Sequence, residues 1–76
     1  MIFDLKITLT LKDLRKARRM TLQEMSEKTG LSLTVIVKTE KGTAYPKRVN
    51  RQKIAEALGI DETNFDLLWE AGRIKA

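Results

Sequence analysis

Residues 21–42, TLQEMSEKTGLSLTVIVKTEKG, carry the pattern that decides the fold. Thr21 offers a hydroxyl cap, and Glu24, three residues on, completes a capping box, so a helix is expected to begin here. Met25, Ser26 and Thr29 fall on its inward face, and Gly30 ends it. After Leu31, Ser32 caps the next helix, in which Val35, Ile36 and Thr39 recur at inward spacing before Gly42, a residue free to adopt the left-handed conformation. The spacing predicts two short helices separated by a tight turn.

Upstream, Thr10 can cap a helix with Asp13 in its first turn and Leu11, Leu14 and Ala17 as its inward stripe. Downstream, Thr43-Ala44-Tyr45-Pro46 is the loop with the strongest breaking chemistry. A fourth helix is expected from Asn50 or a residue just before it, with Val49, Ile54, Ala57 and Leu58 as its apolar positions before Gly59. Asp61 caps a fifth, where Phe65, Leu68 and Trp69 make the apolar face and Gly72 ends it. All four glycines are thus expected at helix ends. Ahead of these, IFDLKITLT (residues 2–10) alternates Phe3, Leu5, Ile7 and Leu9 with Asp4, Lys6, Thr8 and Thr10, which favours a short β-strand. A helical reading competes, since Phe3, Ile7, Leu11 and Leu14 also share one face. The expected fold is all-α, a compact five-helix bundle preceded by that strand. It divides into an N-terminal extension (1–10), a helical domain (11–71) and a short basic tail (72–76).

With 76 residues, 42% of them hydrophobic, the chain has length for one domain. It has no Cys and no His, which removes disulfides, zinc-finger spacing, thiol nucleophiles and imidazole bases, and with them most enzyme chemistry. No catalysis, cofactor, metal site or small-molecule ligand is expected. An apolar run of signal-peptide or membrane-spanning length is absent, so the expected compartment is the cytosol. The net charge of +5 is polarised along the sequence. Residues 1–53 hold thirteen basic and five acidic side chains, a net +8, whereas residues 54–72 hold five acids and no base, a net −5. Such a balance suits a polyanionic partner, and equally suits an uneven solvated surface.

The run LKDLRKARRMTLQEMSEKTGLSLTVIVKTEKG (11–42), followed by Tyr45-Pro46 and by IAEALGID (54–61), closely resembles the Cro and CI-type repressor family, the lambda-repressor-like or XRE helix-turn-helix proteins. The resemblance covers Leu11 to about Leu68. At the fifth, ninth and fifteenth positions counted from Leu22 the family wants a small residue, a glycine and a β-branched apolar residue. Ser26, Gly30 and Ile36 stand there, suited respectively to close approach, a free turn and a filled helix crossing.

What the resemblance implies is a sequence-specific regulator of transcription, a repressor from a phage, mobile element or bacterium, bound to double-stranded DNA in the bacterial nucleoid as a homodimer on a palindromic operator. Arg15 and Glu40 occupy positions that pair in the family. Leu33, Thr34, Val37 and Lys38 occupy the groove-facing positions of the third helix, where Lys38 suits guanine, Thr34 a base or phosphate, and Leu33 and Val37 thymine methyls. Phosphate contacts are expected from Lys28, Lys41, Lys47, Arg48 and Arg51. Two departures stand out: Leu22 replaces the usual DNA-anchoring Gln, and Arg19 replaces a common Gly, which offers a cation in exchange. Trp69 is a dimer-contact candidate, and Phe3, Leu5 and Ile7 are others, through a two-stranded ribbon across the dyad. Because Leu22, Leu33 and Val37 are apolar, the alternative expectation is a protein-interaction module, an antirepressor or adaptor, with a protein partner on that helix.

Overall fold

A hydroxyl side chain begins each of the first three helices in the computed structural model, which describes residues 9–75. Thr10 accepts from the Asp13 amide at 3.0 Å while the Asp13 carboxylate accepts from the Thr10 amide at 3.1 Å, at the start of α1 (Leu11–Ala17). Thr21 and Glu24 repeat this box, at 3.0 and 2.8 Å, for α2 (Leu22–Thr29). Ser32 accepts from the Val35 amide at 3.2 Å for α3 (Leu33–Lys41). These bonds satisfy amides that a helix leaves without internal partners. α4 (Arg48–Leu58) starts after Lys47 with no side-chain cap, and α5 (Glu62–Lys75) starts with the Asp61 carboxylate accepting from the Asn64 amide at 2.8 Å.

Every helix gives the core at least one buried apolar residue: Leu11, Met25, Ile36, Ile54 with Ala55 and Leu58, and Phe65, which is wholly inaccessible. α5 packs against α1, α3 and α4, while α2 packs against α3 and α4. The result is a helical bundle that holds α3 from behind. Between α2 and α3, Gly30 takes φ +76°, and the Ser26 hydroxyl donates to the Leu31 carbonyl at 2.5 Å. Buried Thr29 donates to the Met25 carbonyl at 2.8 Å and accepts from the Leu31 amide at 3.2 Å, so the turn's polar groups are satisfied locally.

Several expectations are corrected. Ala17 is exposed, because the sixth residue after Leu11 falls off its face at about 3.6 residues per turn; buried Arg15 takes the inward place. Val49 is 55% exposed for the same reason of phase, the core face of α4 being Ile54, Ala55 and Leu58. α4 begins at Arg48, two residues ahead of Asn50. Gly72 does not end α5, which continues to Lys75, so residues 73–75 form its last turn. A Cβ at Gly72 would lie 2.7 Å from the Glu40 carbonyl oxygen, and one at Gly42 would collide with the Cα of Arg73. The two glycines let α5 cross the end of α3 backbone to backbone. Of the strand expected over residues 2–10, only Leu9 and Thr10 lie within the described residues, and Thr10 is the α1 cap. No helix among the described residues is long and apolar enough to cross a membrane.

Candidate nucleic-acid interface

The inward residues of α3, Ile36 and Thr39, are buried, which turns the opposite face to solvent. On that face Leu33, Thr34, Val37, Lys38 and Lys41 line a shallow groove of about 440 Å³ together with Thr43. Residues three and four apart on a helix are neighbours, so the four groove-facing positions named from the sequence form one continuous surface. Leu33 is 42% exposed, Thr34 and Lys38 are exposed, and Val37 is half-buried.

What fixes the pose of α3 is a nearly dry ion pair at the edge of this face. Arg15 Nε donates to Glu40 Oε2 at 2.7 Å, Nη2 donates to Oε1 at 3.3 Å, and Nη1 donates to the Met20 carbonyl at 2.8 Å. One guanidinium therefore joins α1, the α1–α2 turn and the last turn of α3, and its planar fork suits a bidentate carboxylate. Leu22 and Val37 sit beside this pair, lining one concavity with Arg15, Glu40 and Lys41.

Cations surround the α3 face unevenly. Lys41 ends α3 and belongs to the groove itself. Lys47 and Arg48 are exposed at the start of α4, and Arg19 is exposed in the α1–α2 turn with φ +59°, a left-handed conformation that disfavours a residue with a Cβ. Lys28 lies apart from these, in a concavity between α2 and α4 with Lys53 and Glu56. Arg51 is half-buried and its guanidinium is engaged within the chain. Nη1 donates to the Pro46 carbonyl at 2.9 Å, Nη2 lies 4.0 Å from Glu62, and the group stacks 4.8 Å from the Tyr45 ring centroid.

The sequence reading missed the device that holds the 43–47 loop. Trp69 Nε1 donates to the Ala44 carbonyl at 3.1 Å, and its ring meets Tyr45 edge-on at 5.0 Å. Tyr45 donates to Asp66 at 2.6 Å, and that bond to a carboxylate raises the phenol's pKa above its ordinary value. Trp69 Nε1 and Arg51 Nη1 thus bond the main chain of the loop that leads into Lys47 and Arg48. The only sequence signal was that Tyr45 and Trp69 are two of just four aromatic residues, one of them in the Pro-containing loop. Phe3, Leu5 and Ile7 lie outside the described residues.

Two short helices joined by a left-handed glycine, the second offering one continuous face beside exposed cations, define a helix-turn-helix module of the DNA-binding class. The family model for the helix-turn-helix domain matches residues 10–71, and the chain belongs to that family. Neither a curated protein nor a solved structure matches the chain.

Proposed function

We propose that this chain is a sequence-specific transcriptional regulator of the Cro/CI type that inserts α3 into the major groove and represses by occupying a palindromic operator as a homodimer. The observation that carries the reading is the outward face of α3. Leu33, Thr34, Val37 and Lys38 are presented together, and the Arg15–Glu40 pair at the edge of that face ties α3 to α1. Lys38 reads guanine, Thr34 a base edge or phosphate, and Leu33 and Val37 meet thymine methyls. Arg19, Lys41, Lys47 and Arg48 engage phosphates, with Lys28 farther out. Arg51 acts through the loop it braces.

A second reading rests on the half-exposed apolar trio Leu22, Leu33 and Val37, which suits a protein partner on the same face. Salt-titrated binding to random duplex and to the DNA flanking the gene separates the two. For a regulator, Lys38→Ala relaxes base preference, whereas Lys47→Ala weakens every sequence and reduces the salt slope by about 1. Absence of duplex binding at low salt overturns the DNA reading, and a stable complex with another regulator would then carry the second.

A further inference from the structure

On the side of the molecule formed by α1 and α5, an apolar groove of about 400 Å³ is lined by Leu9, Leu14, Ile60, Leu67, Leu68 and Ala71. Leu14, Ile60 and Leu68 lean on the core, but Leu67 is 65% exposed and Leu9 is 55% exposed. Asn64 is the one polar residue in the lining among the described residues. A domain this small gains nothing from leaving such a surface wet, so the groove calls for a cover.

The chain supplies one without a linker. Residues 1–8, MIFDLKIT, lead directly into Leu9, which is itself part of the groove wall. In an extended chain alternate side chains share a face, and the sequence sets the apolar Phe3, Leu5 and Ile7 in phase with Leu9 and the polar Asp4, Lys6 and Thr8 out of phase with it. Eight extended residues reach about 26 Å, and the stretch of α5 from Asn64 to Ala71 is about 10 Å long, so the segment can follow the groove past Ile60. Direct tethering gives an effective concentration of roughly millimolar or more, which a free second copy at micromolar concentration does not match.

We propose that the N-terminal segment lies along its own α1–α5 groove, with Leu5 and Ile7 covering the Leu67 side and the charged positions Asp4 and Lys6 facing water. This assigns Phe3, Leu5 and Ile7 to the chain's own surface rather than to a ribbon across a dyad, and it stands independently of DNA binding.

The chain has no cysteine, so disulfide trapping reads the contact directly. In the full-length Ile7→Cys/Leu67→Cys variant, mild oxidation is expected to give a monomeric, internally bridged species. Ile7→Cys/Lys53→Cys, with its second thiol on α4, is expected to remain reduced. Bridged dimers, equal bridging in both variants, or no bridging overturns the proposal, the first placing a second copy in the groove. A second measurement uses Leu67→Gln. It is expected to lower the Tm of the full chain by about 4–8 °C, and to change it little once Leu5→Ser and Ile7→Ser are present. A Leu67→Gln effect independent of those substitutions, or none at all, also overturns it.

Discussion

Arg15 and Glu40, 25 positions apart, meet in a two-pronged ion pair whose side chains are only 6% and 10% exposed, and the same guanidinium caps the Met20 carbonyl. Either partner left alone is a charge with no counterpart in a dry place. Glu40→Ala is therefore expected to cost about 3 kcal/mol, and Arg15→Met/Glu40→Leu much less than the sum of the single losses. The residual cost of the double variant comes from the uncapped Met20 carbonyl. Denaturant unfolding of the four proteins measures the coupling, and strictly additive losses would contradict this account.

Gly72→Ala tests the crossing of α5 over α3. At an exposed helix position the change would gain about 1 kcal/mol of helix propensity. Here the added methyl stands 2.7 Å from the Glu40 carbonyl oxygen, a backbone atom that cannot rotate away. The expected outcome is a net loss of about 1–3 kcal/mol, read as a lower urea midpoint at unchanged m-value.

Arg19→Gly separates stability from binding. The residue stands at φ +59°, where glycine pays no steric cost, so the variant is expected to be more stable by up to about 1 kcal/mol. It also loses a cation beside the α1–α2 turn. Under the proposed function, affinity for all duplexes falls and the salt slope shrinks by about 1, while base preference is unchanged. Thermal melts and salt titrations of the same sample check both halves.

Acid should act partly through the first cap. The Thr10 amide bond holds the Asp13 carboxyl below its ordinary pKa, against an opposing desolvation, with help from the Thr10 hydroxyl and from Lys75 and Lys16. The native state thus binds this proton more weakly than the unfolded chain. Its contribution is complete above the unfolded pKa, near 4, and is lost as pH falls through the lower native value. Asp13→Asn is expected to be less stable at neutral pH and to lose less on acidification below about pH 4. Parallel acid-induced loss in both proteins would count against it.

Local chemistry was legible in the sequence because its partners are a few residues apart. Thr10, Thr21 and Ser32 as caps, and Gly30 and Gly42 as left-handed ends, needed only short-range spacing. Gly72 was misread because a glycine that ends a helix and one that admits a neighbouring backbone look alike in one dimension. The bonds of Arg51 and Trp69 to the loop were not legible because the atoms they seek, the carbonyls of Pro46 and Ala44, belong to the main chain and leave no trace in residue type. Ala17 and Val49 were misplaced because helices of 7 and 11 residues offer too few apolar positions to fix a phase.

The loop ahead of α4 is held from α4 and α5, by Arg51, Asp66 and Trp69, and only Thr43 at its near end reaches back to α3, through the Lys38 carbonyl. Its cations and the outward side chains of α3 are thus mounted on different supports. Substitution at Leu33, Thr34 or Val37 removes none of the atoms that brace Lys47 and Arg48. The architecture divides grip from reading: a lineage can exchange the text it recognises while keeping the same hold on the page.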